Sequence, residues 1–214
     1  MIVVKPAVLL LLPLLLAVIG TDAAPCTREC ARLTKMLPTK DVHKILGDWV
    51  MVWSVSDTQQ GSDRLGNLSS SYIRFQLLPD NKTIMFNKRS MLLDMLCSKY
   101  DFNISLNFDP SEYHTLHIIS ALGENFFYES CSDCLALVYR GKMANTSKVG
   151  RFLFIFWREG HHRDVELLKA AHSDHKKLAE CLGFPHDKPF SYDGATEMAD
   201  SNTPGVGVVG EPGI

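Results

Sequence analysis

A long alternation of apolar and polar residues at positions 100–109 is the feature that most restricts the fold of this chain. Every second side chain is aromatic or aliphatic and faces one side, namely Tyr100, Phe102, Ile104, Leu106 and Phe108. Such a two-residue period predicts a half-buried β-strand with one dry face and one wet face. A strand of about ten residues is roughly 33 Å long. It is therefore long enough to form the wall of a cup.

Other segments alternate in the same way or are rich in strand-forming residues. They are residues 46–56, 72–78, 83–89, 113–120, 126–131, 134–140 and 151–158. The first of them places Trp49, Met51, Trp53 and Val55 on one face, and the third places Ile84 and Phe86 together. Residues 190–192 could add a short edge strand. Residues 57–71 are rich in Gly, Ser, Asp and Gln and predict a long mobile loop, which would be either a lid over a cavity or a loose hairpin end.

One amphipathic helix is predicted after the strands. Apolar residues recur at three- and four-residue spacing over residues 163–182, and Gly183 and Pro185 end the pattern. Since no helix is visible between the strands, a parallel α/β sheet is excluded. The sequence predicts a mainly β protein, an eight-stranded antiparallel up-and-down barrel with one C-terminal α-helix packed outside.

The start of the chain predicts its compartment. Lys5 precedes an apolar run at residues 7–19, and small residues follow it. This pattern is typical of a secretory signal peptide, assigned to residues 1–23, and a retained anchor is the alternative. Residues 24–193 then form one domain, and residues 194–214, rich in Gly and Pro, are expected to be a disordered tail. No other apolar run is long enough to span a membrane.

The composition agrees with a secreted protein. Four Asn-x-Ser/Thr sequons predict a glycoprotein, at Asn67, Asn81, Asn103 and Asn145. The chain has six cysteines, which in an oxidising compartment predict disulfides. With a net charge of −2 and no basic stripe, nucleic acid is not expected as a partner.

No catalytic constellation is visible. The sequence has neither a Gly-rich phosphate loop nor a Gly-x-Ser-x-Gly elbow, so we expect neither an enzyme nor a cofactor. His172 and His175 could bind a metal ion weakly, but a packing or surface role is expected for both, and no metal site is predicted.

Three motifs resemble signatures of the lipocalin superfamily. Gly47-Asp48-Trp49 matches the motif of the first strand, and Ser132-Asp133-Cys134 resembles the Thr-Asp-Tyr motif with two departures. Arg158 matches the arginine that ends the last strand. The resemblance implies that Gly47, Trp49 and Arg158 close the barrel floor, with Arg158 stacked on the Trp49 indole.

Two shorter stretches resemble one branch of that superfamily. They are residues 30–33 and the pair 179–183 with 191–193. The branch contains α1-acid glycoprotein, apolipoprotein M and the fish saxitoxin/tetrodotoxin-binding and tributyltin-binding proteins. The resemblance implies a Cys30–Cys181 disulfide. It also ties the counterpart of Cys97 to a tail cysteine that is absent here, so Cys26–Cys97 and Cys131–Cys134 are the pairings expected for the remaining cysteines.

The resemblance implies a carrier of small molecules. In apolipoprotein M charged residues hold a lysophospholipid headgroup, but the matching positions Tyr100, Ile119 and Tyr139 are uncharged. An apolar or aromatic ligand, or an organic cation stacked on aromatic faces, is therefore expected. The predicted ligand-binding residues are Trp53, Tyr100, Phe102, Ile104, Tyr139, Phe152 and Phe154.

The leading hypothesis is a secreted glycoprotein that carries a small hydrophobic or amphipathic ligand, such as a lipid, toxin or xenobiotic, in body fluid. The alternative is an acute-phase or immunomodulatory interaction protein whose rings fill the barrel, with a cell-surface receptor as its partner. A third hypothesis is a thiol-dependent isomerase, which would require Cys97 to be free and to face the cavity.

Overall fold

A computed structural model describes residues 27–106, 114–120, 122–143 and 148–196. Several features that the sequence predicts lie outside these residues. They are the signal peptide, Cys26, Asn145, the end of the strand at 100–109, the start of the strand at 113–120, and the tail from residue 197 onward. None of the described helices has the length and apolar character needed to cross a membrane.

The structure is a nearly closed barrel of eight antiparallel strands, as the sequence predicts. These strands are β1 Gly47–Ser56, β2 Leu68–Leu77, β3 Thr83–Leu92, β4 Cys97–Ser105, β5 His117–Ser120, β6 Gly123–Tyr128, β7 Cys134–Lys142 and β8 Val149–Arg158. Their order in the sheet is β4-β3-β2-β1-β8-β7-β6-β5, so the first and last strands of the barrel pair with each other. The expected edge strand is present as β9, Phe190–Ser191, and it pairs with β1.

Within the described residues, three α-helices and one 3₁₀ helix lie outside the sheet. They are α1 Thr27–Leu33, the 3₁₀ helix Thr39–Ile45, α2 Gln59–Gly66 and α3 Val165–Cys181. The helix α3 is the predicted C-terminal helix. It begins after Asp164, whose carboxylate accepts a hydrogen bond from the backbone N–H of Leu167 at 3.0 Å.

The prediction of a loop at residues 57–71 was wrong, because α2 and the start of β2 occupy most of this segment. The Thr58 hydroxyl accepts a hydrogen bond from the backbone N–H of Gly61 at 3.1 Å and caps the helix. Residues such as Gly, Ser, Asp and Gln have weak or context-dependent helix preferences. The cap and the packing of Leu65, which is buried, fix a helix that composition alone does not predict.

A β-bulge in β1 overturns the predicted position of Trp53. The pairing of β1 with β8 shifts register between Met51 and Trp53, so one extra residue enters the strand. Trp49 and Met51 therefore face the barrel interior, whereas Trp53 and Val55 face outward beneath α3. A slip of one residue moves every later side chain to the opposite face. Trp53 does not line the cavity.

The barrel has apolar side chains on both faces of β8, as the sequence predicts. The three phenylalanines Phe152, Phe154 and Phe156 belong to the core inside the barrel. Between them, Leu153, Ile155 and Trp157 belong to a second core outside the barrel, which α3 covers with Leu178 and Ala179. The inner core surrounds the candidate site, and the outer core holds α3 in place.

The barrel floor confirms the predicted contact between Trp49 and Arg158. The Trp49 indole is fully buried and donates a hydrogen bond to the carbonyl of Ile45 at 2.8 Å. The Arg158 guanidinium lies 4.3 Å from the indole ring and donates to the carbonyl of Leu46 at 3.1 Å. Gly47 has φ +114°, and a Cβ there would lie 2.7 Å from the Arg158 guanidinium. Glycine is therefore required both for the backbone angle and for the space.

Two of the three predicted disulfides are present. Cys30–Cys181 joins α1 to the end of α3, and Cys131–Cys134 closes the turn before β7. The third is not seen, because Cys97 is a free cysteine, buried with its sulfur 3.6 Å from the Met91 sulfur. Its predicted partner, Cys26, lies outside the described residues.

We predict that Gly47→Ala lowers the free energy of unfolding by about 2–4 kcal/mol, because it combines backbone strain with displacement of Arg158 from the indole. Denaturant unfolding measures this loss. Gly160→Ala is the control, since Gly160 also has a positive φ of +98° but has no atom within 4 Å of an added Cβ. The control should cost only about 1 kcal/mol. Equal losses in both variants would contradict the role of Gly47 in seating Arg158.

Candidate functional site

The candidate site is a cavity inside the barrel with a volume of about 810 Å³, counting its opening to solvent. Its walls come from every strand of the barrel and are mostly aromatic or aliphatic. The aromatic lining residues are Phe75, Phe86, Tyr100, Phe102, Phe127, Tyr139, Phe154 and Phe156. A concave apolar space with a few polar groups is the usual form of a small-molecule site.

Most of the predicted ligand-binding residues line this cavity. Tyr100, Phe102, Ile104, Tyr139 and Phe154 do so. The alternation at residues 100–109 therefore gave the correct inward face of β4, whereas Trp53 is displaced outward by the bulge described above.

Phe152 is inside the barrel but packs behind the cavity wall. Its ring stacks on Phe154 at a centroid distance of 5.5 Å and lies 6.4 Å from the Tyr139 ring. It also lies beside Gly61 of α2. Phe152 therefore packs against the cavity wall and the neighbouring helix, and it is not itself a lining residue.

The helix α2 lies across the end of the barrel at which β1 ends and β8 begins. Leu65 belongs to the inner core, and a Cβ on Gly61 would lie 2.0 Å from the Ser56 hydroxyl oxygen and 2.9 Å from the Phe152 ring. The backbone of α2 is therefore in close contact with the barrel rim. None of the described cavity-lining residues belongs to α2, so the lid over a cavity stays a prediction from the sequence.

A lysine inside the cavity is the main feature that sequence reasoning missed. Lys88 lines the cavity, and its ammonium lies 5.8 Å from the centre of the Phe154 ring. Burial, with a smaller contribution from the nearby Arg64 guanidinium, lowers the pKa of Lys88 to about 8. The sequence contains a pattern that predicts this position, because Lys88 continues the inward alternation of Ile84 and Phe86 on β3.

Several other polar groups of the cavity have partners within the protein. The hydroxyls of Ser71 and Ser90 are 2.9 Å apart, the Tyr139 hydroxyl donates to the carbonyl of Leu122 at 2.5 Å, and Asn125 donates to the carbonyl of Ile118 at 3.4 Å. Burial raises the pKa of Tyr139, so it stays protonated near neutral pH. Among the described residues, the lining includes no aspartate or glutamate.

Other candidate residues lie away from the cavity. Ile119, expected inside the cup, is 63% exposed, and its neighbour Ile118 lines the cavity instead. His172 and His175 lie outside the barrel, with ring centroids 6.3 and 5.7 Å from that of Trp53. Burial and the nearby His172 lower the pKa of His175 to about 4, so it is neutral at pH 7. No group of three or more metal-ligating side chains occurs within the described part of the chain.

The sequon asparagines are accessible where the structure describes them. Asn67 follows the end of α2, Asn81 lies in the turn between β2 and β3, and Asn103 lies on the outward face of β4. All three are exposed. The wet face that the alternation assigns to Asn103 is therefore correct.

The chain is similar in sequence to two toxin-binding proteins. It is 39% identical over 210 residues to saxitoxin and tetrodotoxin-binding proteins 1 and 2 of Takifugu pardalis, covering 93% of this chain and 51% of each relative. The chain thus spans about half the length of the curated relatives it matches. No protein-family model matches it.

Solved structures of lipocalins share its fold. The siderocalin Ex-FABP superimposes with a TM-score of 0.55 at 12% identity, covering 72% of this chain and 97% of that protein. Siderocalin Q83 superimposes with a TM-score of 0.55 at 13% identity, covering 75% of this chain and 96% of that protein. At these identities the likeness concerns the fold alone.

We predict that Gly61→Ala loosens α2 from the barrel rim, because the added methyl group would overlap Ser56 and Phe152. The free energy of unfolding should fall by about 1–3 kcal/mol, and amide hydrogens of α2 should exchange faster. Gly66→Ala in the same helix is the matched control, since an added Cβ meets no atom within 4 Å. That change should be neutral or stabilising by about 0.5–1 kcal/mol. If both variants behave alike, the contact of α2 with the rim is not as described.

Proposed function

We propose that this chain, a homologue of saxitoxin and tetrodotoxin-binding proteins with the lipocalin fold, carries a small hydrophobic or amphipathic molecule in its barrel. The observation that carries this proposal is the cavity inside the barrel, which opens to solvent and is lined mostly by aromatic and aliphatic side chains. Burial of a ligand against such a wall removes apolar surface from water, which is the main favourable contribution to binding.

The hollow barrel favours the carrier over the alternative of a filled barrel. Phe86 packs between Phe75 and Phe102, with ring centroids 5.1 and 4.8 Å away, so these rings lean on one another along the wall. Because they are braced by each other and by the sheet, they leave the centre of the barrel open. A plugged barrel would need side chains across that space.

Secretion and glycosylation complete the proposal. Two disulfides and three exposed sequon asparagines fit an oxidising, extracellular environment. We infer that the protein acts in plasma or another body fluid, with residues 1–23 serving as its signal peptide. A cell-surface receptor as a partner remains a prediction from the sequence.

Titration with the neutral fluorescent probe N-phenylnaphthylamine tests ligand binding. A ligand that buries ~300 Å² of apolar area gains ~7 kcal/mol, and part of this is lost to immobilisation. We expect saturable one-to-one binding with a dissociation constant in the micromolar range. Ile118→Phe, which fills part of the cavity, should weaken binding about tenfold or more, whereas Ile119→Phe on the outer face of the same strand should not change it.

The contrary result would be an absence of saturable probe binding by the wild-type protein, which would support the filled barrel. Equal effects of the two isoleucine variants would place the probe outside the cavity. Displacement of the bound probe by tetrodotoxin is a separate measurement. It tests whether the toxin binding named for the relatives extends to this chain.

A further inference from the structure

The described lining of the cavity holds one positive charge on an otherwise uncharged wall. Lys88 is the sole charged residue among the lining residues that the structure describes. Its ammonium faces the Phe154 ring, and no described carboxylate pairs with it. Lys88 is half-buried. A charge held in a mostly apolar cavity without a partner is unfavourable, so a sequence that only needed to fill the barrel would gain stability from an apolar residue at this position.

The surroundings of Lys88 add positive charge rather than neutralise it. Arg64 on α2 acts on both Lys88 and Tyr139, because its guanidinium opposes protonation of the amine and favours ionisation of the phenol. Tyr100, the partner of Lys88 in the register of β3 and β4, also lines the cavity and presents a phenol. Lys88 and Tyr100 therefore place two side-chain donors side by side on the cavity wall.

We propose that the cavity selects an amphiphile with one anionic headgroup, a carboxylate or a phosphate monoester, which pairs with the Lys88 ammonium while its apolar tail lies along the aromatic wall. This inference rests on the proposed carrier function and names the ligand class. An anion would supply the missing partner of the amine through a charge-assisted hydrogen bond. An organic cation of the kind expected from the sequence would meet like charges and no described carboxylate in the lining.

The position of Lys88 also gives the ligand an orientation. The phenylalanines Phe75, Phe86, Phe102 and Phe156 and the aliphatic Ile104 extend the wall away from the lysine, and they carry no polar side-chain atoms. The headgroup therefore lies at the lysine, on the side acted on by Arg64 of α2, and the tail occupies the apolar remainder of the barrel. The same geometry excludes ligands that are charged at both ends.

Displacement of bound N-phenylnaphthylamine by four ligands with the same tail tests this inference. The ligands are decanoate, decyl phosphate, decanol and decyltrimethylammonium, each used below its critical micelle concentration. We expect both anions to bind at least about tenfold more tightly than decanol, and the cation to bind most weakly. The comparison of decanoate with decyl phosphate decides which anion the site prefers.

Two lysine variants separate the local contact from the overall charge. Lys88→Met should weaken binding of both anions by about 10- to 100-fold and leave decanol affinity within about twofold. Lys82→Met removes the same charge from an exposed position in the turn before β3. This variant should change neither the affinity for the anions nor the affinity for decanol. If Lys88→Met does not fold, Lys88→Gln takes its place with the same expectations.

Proton uptake gives a readout on the wild-type protein alone. The titratable groups that line the same cavity as Lys88 are Tyr100, its partner in the β3–β4 register, and Tyr139, and the Arg64 guanidinium also acts on its pKa. An anion beside the ammonium raises the lysine pKa from about 8 towards its ordinary value. Calorimetry at about pH 8.5, in buffers of different ionisation enthalpy, should therefore show uptake of a fraction of a proton with decanoate and none with decanol.

The outcomes distinguish the two levels of the proposal. If neither the probe nor any of the four ligands binds, the carrier function itself fails. If the probe binds but decanoate is no better than decanol, or if Lys88→Met leaves the anions unchanged, the carrier function stands and the anion selectivity is overturned. If decyltrimethylammonium binds most tightly of the four ligands, the anion selectivity is overturned as well.

Discussion

The contact between the Arg158 guanidinium and the Trp49 indole is the interaction on which the barrel depends. It joins the start of the first strand to the end of the last, because Trp49 and Arg158 are direct partners in the pairing of β1 with β8. The Arg158 side chain is half-buried, and a cation–π contact of this kind contributes about 1 kcal/mol. Gly47 makes room for it, and the hydrogen bonds to Ile45 and Leu46 tie the 3₁₀ helix beneath the floor.

With the floor sealed by this contact, the remaining strands need only supply a wall. The bulge after Met51 divides β1 into a lower half that faces the interior and an upper half that turns Trp53 towards α3. One strand thus serves both cores. The helix is anchored by apolar packing on the outside, and the inside is left for the aromatic residues around the cavity.

Much of the fold could be predicted from the sequence, because the alternation of apolar and polar residues in a strand follows which side chains are buried. The eight strands were accessible in this way, and the C-terminal helix through its three- and four-residue spacing. The Trp49–Arg158 contact was implied by the resemblance to lipocalins. The bulge was not accessible, because an extra residue in β1 shows only against its partner strand β8. The helix α2 was missed because its polar composition resembles a loop and only Thr58 marks its start.

The candidate site was predicted in part for the same reason. Tyr100, Phe102 and Ile104 lie on the cleanest alternation in the chain, and the structure places all three in the cavity wall. Lys88 was overlooked because a charged residue is normally assigned to the solvent face, although its register with Phe86 and Ile84 points inward. A charge that obeys the inward period of a strand is therefore a sign of function.

The Cys30–Cys181 bond encloses the whole barrel within one covalent loop, since the two cysteines are 151 residues apart and flank all eight strands. A single cut in the backbone anywhere inside that loop would leave the two fragments attached to each other through sulfur. For the extracellular carrier proposed above, cleavage between two strands by a protease would thus still leave one molecule, its fragments joined by this bond.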